Sequence, residues 1–299
     1  MPGTRLLNWR HIIAGVFVVF VLSVYVTPCV SSDDSKSSVT QLIDDLTQID
    51  SQAPGIDSAA IYDGFIAEDA STSFHGGVLG VPPPKVPPQM RELVRRGPST
   101  LPDLIRHLDD RRPTSLAVGN KDSASPSHQV GVDFFMFTVF SDEYDPRLRR
   151  SFSEEELGRG RLLVERRFQG RYTVKVGDVC FVLIGQIVNR QLLAVRYQAS
   201  AGLVVNSPIE TPELAEKVRN DWGKGNVEML KASLLADIRT GNQPKEVGQI
   251  VYSTGDVNSA LRRLRLYFPD TYDALKGDDL KKRRRFEEQE NRRQSGKKR

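Results

Sequence analysis

Apolar residues recur every three or four positions in several segments of the chain, the spacing that places them on one face of an α-helix. The clearest of these segments lie at 38–49, 90–94, 101–108, 212–222, 227–238 and 257–268. Most of them end at a glycine or a proline, and Pro212 stands where proline suits a first helical turn. The pattern therefore predicts a body built mainly of short amphipathic helices.

Alternating and β-branched residues predict a smaller β component. Tyr172, Val174 and Val176 alternate with polar residues and indicate a short strand, which leads into an apolar helix through the run Val179–Ile184. Two β-rich runs within residues 192–205 surround a turn of small residues and predict a β-hairpin. Because of this hairpin, the predicted fold class is mainly α with a small β element, and not a purely helical solenoid.

Two segments between the helical units give a less regular pattern. Residues 129–140 are aromatic and β-branched, which indicates either a strand or an apolar flap packed on the helices. Residues 141–170 are highly charged and predict a solvated excursion from the body, with a helix as an open alternative for its structure.

Composition divides the chain into four parts. Residues 1–32 form an apolar targeting segment, and residues 33–87 form a linker rich in Ser, Gly and Pro with one short helix. The linker ends with five prolines within residues 82–88, which favour an extended and semi-rigid connector. Residues 88–275 are the mainly helical body, and residues 276–299 are a basic charged tail.

The N-terminal segment is apolar over its whole middle part. Arg5 and Arg10 precede an uncharged stretch from Ile12 to Val26, the pattern of a secretory signal. The 19 residues from Ile12 to Val30 also approach the length of about 20 that a spanning helix needs, so a cleaved signal and a retained anchor both stay open. The side chains expected to enter the membrane are Ile12, Ile13, Val16, Phe17, Phe20 and Leu22. Basic residues favour the cytoplasmic side, so either interpretation places the body on the far side of the membrane.

Charge is concentrated at the C-terminal end. Residues 276–299 contain eleven Lys or Arg and five Asp or Glu, whereas the rest of the chain carries 31 basic and 33 acidic residues. The body is therefore close to neutral and shows no bulk sign of nucleic-acid binding. We interpret the tail as a solvated or unstructured segment, with an anionic surface as an alternative partner. Nucleic acid is not expected, because Phe286 is the only aromatic residue available for base stacking there.

Residues that carry chemistry are scattered and form no motif. The four histidines stand isolated at His11, His75, His107 and His128. A zinc site needs ligands in tight pairs, and these spacings place no two histidines on one helix face. Cys180 lies within an apolar run and is interpreted as a small buried side chain. The acidic residues at 142–145 lack the glycine and distal glutamate of a calcium loop. We therefore predict no catalytic residue, no metal site and no cofactor.

Two segments resemble a known helical repeat. Residues 97–110 read Gly-Pro-Ser-Thr-Leu-Pro-Asp-Leu-Ile-Arg-His-Leu-Asp-Asp, a small turn leading into an apolar helix with an acidic end. Residues 176–187 have a short aliphatic and acidic start before an apolar run. Both are similar to helices of HEAT-type repeats, which implies helical hairpins, packed irregularly because no steady period of about 40 residues links the copies. The whole chain also resembles exported bacterial proteins, and that resemblance implies no particular function.

These observations favour an exported or membrane-anchored, non-catalytic binding or scaffold protein. HEAT-like hairpins offer extended surfaces for protein contacts and carry no built-in chemistry. The expected partners are the membrane through the N-terminal segment, another protein, and an anionic surface at the tail. Two alternatives stay open: an exported hydrolase with a site of scattered carboxylates, and a structural component of the cell envelope.

Overall fold

The fold consists of short helices around one apolar core, with strands along part of its surface. The structure is a computed structural model, and it describes residues 37–50, 56, 61–62, 64–68, 74–75, 85–119, 137–144, 167–168, 171–198, 202–224, 227–240, 245–247, 250–252 and 257–296. The α-helices are α1 (Val39–Asp44), α2 (Pro88–Arg96), α3 (Leu101–Arg106), α4 (Val176–Val188), α5 (Pro212–Trp222), α6 (Val227–Thr240), α7 (Val257–Tyr267), α8 (Pro269–Asp273) and α9 (Gly277–Gly296). The strands are β1 (Ile61–Tyr62), β2 (Phe74–His75), β3 (Pro113–Gly119), β4 (Phe137–Phe140), β5 (Arg167–Phe168), β6 (Arg171–Lys175), β7 (Val195–Gln198), β8 (Gly202–Val205), β9 (Lys245–Val247) and β10 (Ile250–Tyr252).

Helices predominate among the described residues, so the prediction of a mainly α body with a small β element is confirmed at that level. The predicted hairpin is formed by β7 and β8, which pair antiparallel. The β component extends beyond this hairpin, because β4 pairs parallel with β8 and β5 adds antiparallel to β4. Of the predicted strand or flap at 129–140, residues 129–136 lie outside the described residues, as does most of the charged excursion at 141–170.

Strand β6 delivers the chain directly into the core helix. It pairs antiparallel with β3, and its residues alternate between exposed and buried, as expected for a strand with one face on the core. The burial alternation brings Tyr172 and Val174 inward. Helix α4 then begins without an intervening loop at Val176.

Helix α4 is the centre of the core. Every residue from Val176 to Val188 is buried except Gln186, which is partly exposed. The helix contacts α2, α3 and α6, so apolar side chains surround it on several sides. An α-helix that is apolar all round is expected only where it is covered all round. The helix ends at Asn189, which adopts the left-handed conformation with φ of 59°.

The residues that precede the proline-rich segment also contribute to this core. Leu42, Ile43 and Leu46 are buried, and α1 packs against α2. Arg112 at the start of β3 forms an ion pair with Asp44 at 2.6 Å. Residues on both sides of the prolines therefore share one core, although composition alone placed a boundary near residue 87.

Gly97, between α2 and α3, lets helix α7 pack closely against the end of α2. Gly97 has φ of +59°, a conformation that side-chain-bearing residues rarely adopt. The ring of Tyr267 lies over it so closely that an added Cβ would clash with ring carbon Cε1. The Tyr267 hydroxyl also donates a hydrogen bond to the Val94 carbonyl at 2.6 Å. These contacts fix α7 against the end of α2.

Helix α7 is also joined to the core helix by a buried arginine. Arg263 donates from Nε to the Gln186 carbonyl of α4 at 2.6 Å. Its guanidinium lies 4.4 Å from the ring centroid of Phe65, a cation–π contact. Arg263 Nη1 donates within α7 to the carbonyl and hydroxyl of Ser259. This buried charge thus joins α7, α4 and the segment around Phe65.

Candidate functional site

A fully buried carboxylate lies at the start of α4. The Tyr172 hydroxyl donates to Asp178 Oδ2 at 2.7 Å, and the backbone N–H of Lys175 donates to the same oxygen at 2.8 Å. The Ser207 hydroxyl donates to Oδ1 at 2.5 Å. Burial raises the pKa of Asp178 above its usual range, although these hydrogen bonds oppose the rise. The carboxylate therefore joins β6, α4 and the segment that follows β8.

The partners of Asp178 form a closed network at the edge of the core. Ser207 Oγ accepts hydrogen bonds from the backbone N–H groups of Ile209 and Glu210 at 3.2 and 3.3 Å. Lys175 Nζ lies 3.4 Å from the Tyr172 hydroxyl and 2.9 Å from a Glu210 oxygen. A serine, a tyrosine and a lysine around an aspartate could serve catalysis, but Ser207 and Asp178 have no exposed surface. Because a substrate cannot reach them, the network is best understood as a structural connection.

Cys180, one turn into α4, has no exposed surface. Burial raises the pKa of its thiol well above the usual range, so the reactive thiolate is not formed at neutral pH. The interpretation of Cys180 as a small buried apolar side chain agrees with this environment.

His107 is held in a surface ion cluster. Its Nδ1 lies 3.1 Å from Asp110 Oδ2, and Arg112 donates to the same carboxylate. Burial alone would raise the pKa of Asp110, but the hydrogen bonds from Arg112 outweigh it and hold the pKa at about 2. The cluster connects the end of the α3 segment to β3 and has the geometry of a structural ion pair.

The other sequence candidates are not brought together. His75 lies in β2 opposite Ile61, while His11 and His128 lie outside the described residues. Of the acidic residues at 142–145, the last also lies outside them. Within the described ranges, no three His, Cys, Asp or Glu side chains form a group that could hold a metal ion.

The basic tail forms a helix, α9, whose inward side is attached to the body by charged groups. Glu290 binds Arg262 of α7 at 2.6 Å. Arg283 donates to the Tyr272 carbonyl at 3.0 Å and to Glu287 at 2.9 Å. The hydrogen bond from Arg283 lowers the pKa of Glu287, in spite of partial burial. The inward side of α9 therefore has its charges neutralised by partners.

Phe286 is the apolar anchor of α9. It is 1% exposed, and the guanidinium carbons of Arg262 and Arg265 lie 5.9 and 5.2 Å from its ring centroid. The interpretation of residues 276–299 as solvated or unstructured therefore does not describe residues 277–296. The physical reason is that one buried ring together with paired charges holds this very polar helix in place.

The opposite side of α9 is exposed and mostly basic. We call this side the outer face, and it consists of Lys281, Arg284, Arg285, Glu288 and Arg292. Lys281 pairs with Asp278 at 2.9 Å. Arg284, Arg285 and Arg292 form no ion pair with any other described residue. The outer face thus presents three exposed guanidinium groups over about two turns of helix, without an ion pair to any other residue that the structure describes.

The division of α9 into two sides was present in the sequence but was missed. Asp279, Arg283, Phe286 and Glu290 follow one another at offsets of four, three and four, which is the spacing of one helix face. The single aromatic residue within this row marked the side that packs. The run of basic residues at 281–285 favoured a solvated segment instead, because runs of like charge are usually solvated.

The membrane-inserting candidates Ile12, Ile13, Val16, Phe17, Phe20 and Leu22 all lie outside the described residues. The same holds for the whole segment 1–32 and for the tail residues 297–299. Among the helices that the structure describes, none is long and apolar enough to cross a membrane.

The predicted resemblance to HEAT repeats has no support from known proteins. One local feature suits it, because the short turn Gly97–Ser99 joins α2 to α3. This feature is common to many helical proteins and does not identify a family. Comparison of the chain with protein-family models, with curated proteins and with solved structures gives no match.

Proposed function

We propose that this chain is an exported or membrane-anchored binding protein, and that its body presents the outer face of α9 to a partner. One observation carries the proposal. The inward charges of α9 have partners on the body, whereas Arg284, Arg285 and Arg292 extend into solvent without an ion pair to a described residue. Attachment of the helix does not require these three arginines, so they are free to contact another molecule.

The way the core uses its unusual ionisable groups favours binding over catalysis. Asp178, Tyr172 and Cys180 all have raised pKa values, and burial is the leading cause for each. Displaced pKa values often mark active sites, but structural networks also produce them. Here Asp178 and Tyr172 connect elements of the fold through hydrogen bonds, and Cys180 packs within the core. They therefore give no support to a hydrolase.

Export and anchoring rest on the N-terminal pattern described above. The test is the intact mass and N-terminus of the native protein from fractionated cells. A chain of full length in the membrane fraction supports an anchor, and a chain that starts near Ser32 in a soluble exported fraction supports a cleaved signal. A full-length chain in the cytosolic fraction would contradict both.

Binding through the outer face is tested by photo-crosslinking in cells. A photoreactive amino acid is introduced at Glu288, and a matched control carries it at Arg95, which is exposed on α2. We expect a discrete adduct from position 288 and none of the same mass from position 95. Equal labelling from both positions would contradict a specific binding surface on α9.

A further inference from the structure

We infer that the outer face of α9 docks on an anionic phospholipid surface, that of the membrane into which the N-terminal segment inserts. The inference rests on the proposed function and names the partner of the same surface. A lipid surface is the expected partner because four of the five outer-face residues are basic, all five lie in one row, and none of them is apolar.

The geometry of the row suits a flat, charged surface. Positions 281 and 292 lie eleven residues apart on α9, which corresponds to about 16 Å at 1.5 Å per residue. The side chains between them repeat at offsets of three and four, so they point to the same side. The contacts of Arg283, Phe286 and Glu290 with the body fix the rotation of the helix about its own axis. The row therefore faces away from the body, with its four basic side chains on one side of the helix.

The chemistry of the outer face favours headgroups over the hydrocarbon interior. Guanidinium groups bind phosphate through paired donors, and they remain charged at any physiological pH. A helix that inserts into the interface needs a wide apolar side, but the only buried aromatic residue of α9, Phe286, faces the body. Docking is therefore electrostatic and should be reversible with salt.

Two attachments to one membrane would reinforce each other. A retained N-terminal helix would hold the body near the lipid surface, so that contact by α9 becomes an intramolecular step. A row of few cations is then sufficient, although it would bind weakly from free solution. Glu288 stands within the row, and its carboxylate repels an anionic surface. Replacing Glu288 should therefore strengthen docking, whereas replacing an arginine should weaken it.

The experiment uses the full chain, synthesised without export so that residues 1–32 remain. Cys29→Ser and Ser295→Cys place one reactive thiol on the exposed end of α9, because Cys180 is buried. A fluorophore at position 295 is quenched by a label on lipid headgroups when α9 is docked. The vesicles contain either phosphatidylcholine alone or phosphatidylcholine with a third of it replaced by phosphatidylglycerol.

We expect quenching in the anionic vesicles and little in the neutral ones. Arg284→Gln, Arg285→Gln and Arg292→Gln together should weaken docking by about fivefold for each arginine, because a basic residue near such a surface contributes on that order. Glu288→Gln should strengthen docking by a similar factor. Raising the ionic strength to about 1 M shortens the screening length to about 3 Å and should abolish it.

A matched control removes the same charge elsewhere on the body. Arg95→Gln, Arg111→Gln and Lys224→Gln change three exposed residues outside α9 and should leave quenching unchanged. If this control weakens docking as much as the arginine variant does, net charge is responsible and the outer face is not the site.

Other outcomes separate the inference from the function on which it rests. A chain that stays in both kinds of vesicle without quenching would overturn docking but leave anchoring intact. A chain that binds neither the neutral nor the anionic vesicles would contradict anchoring, and it would contradict the docking inference as well. If the outer face of α9 binds soluble heparin and anionic vesicles cause no quenching, the partner is an anionic polymer, and the inference of a lipid surface is wrong.

Discussion

Helices α4 and α9 belong to the same body but are held there by different forces. Helix α4 is largely apolar and almost wholly buried, whereas α9 has one deeply buried ring, Phe286, and many ion pairs. Burial of apolar surface contributes about 25 cal/mol per Å², while exposed ion pairs contribute roughly 0–1 kcal/mol each. We therefore expect α4 to unfold only with the whole body and α9 to detach on its own.

The comparison of α4 with α9 shows that a helix can be attached firmly enough to have a defined orientation and still contribute little to the stability of the core. A helix held by one buried ring and by paired charges keeps a defined orientation without adding much to the core. Its release exposes little apolar surface, so it carries a small risk of aggregation. Such a helix suits a surface that meets other molecules, and the following predictions test the contrast.

The largest expected effect is at the centre of α4. Phe181→Ala removes a ring that has no exposed surface, and it should lower the free energy of unfolding by about 3–5 kcal/mol. Urea denaturation followed by Trp222 fluorescence measures this. Ile184→Val on the same helix is the control and should cost about 0.5–1.5 kcal/mol. A cost below that of the control for Phe181→Ala would contradict the central role of α4.

The next effect is at the anchor of α9. Phe286→Ala should lower the free energy of detaching α9 by about 2–4 kcal/mol, because a buried ring and its contacts with two arginines are lost. Hydrogen exchange should accelerate at α9 amides and stay slow in α4. Equal acceleration in both helices would show that α9 is part of the same cooperative unit.

A smaller effect concerns the carboxylate at the start of α4. Since burial raises the folded pKa of Asp178 above its unfolded value, the folded state binds a proton more tightly than the unfolded state. The stability of the wild type relative to Asp178→Asn should therefore be greatest at acid pH and fall as pH rises through the folded pKa. The slope is at most about 1.4 kcal/mol per pH unit, measured by denaturation at a series of pH values.

Asp110→Asn is the matched control for that series. The folded pKa of Asp110 is about 2, below the usual 3.8, so its contribution is present above pH 3.8 and is lost as pH falls towards 2. The two variants should show opposite slopes. Slopes of the same sign would contradict either the effect of burial on Asp178 or the effect of Arg112 on Asp110.

The smallest effect is that of salt. Raising sodium chloride from about 0.1 to 1 M screens exposed ion pairs, so the free energy of detaching α9 should fall by up to about 1 kcal/mol. Hydrogen exchange in α4 should not change, because apolar contacts are not screened. Exchange in α9 that is insensitive to salt would indicate that Phe286 alone holds the helix.

Much of the helical framework could be predicted because its signals are local. The apolar run Val179–Ile184 indicated α4, and Pro212 marked the start of α5. The parallel pairing of β4 with β8 could not be predicted, because Phe137 and Gly202 are far apart in sequence, with β6, α4 and β7 between them, and such a pairing leaves no local pattern. The place of α1 in the core was missed for the same reason.

The surface of α9 illustrates a different limit of sequence reasoning. Its charges were visible, but whether an arginine of α9 is paired depends on residues outside the helix, such as Asp273 of α8, which pairs with Arg283. A row of cations with partners is structural, and the same row without partners is available for binding. Only the three-dimensional arrangement distinguishes the two.

The position of Lys282 has a consequence for biosynthesis. Its ammonium donates to the carbonyls of Ile238 and Arg239 at 2.6 and 3.1 Å, so it closes the end of α6, whose last carbonyls have no partner within the helix. The ribosome reaches Lys282 only 43 residues after Arg239. At 5–20 residues per second, this leaves the end of α6 open for about 2 to 9 seconds. A nascent chain is therefore expected to fray at α6 until α9 has emerged.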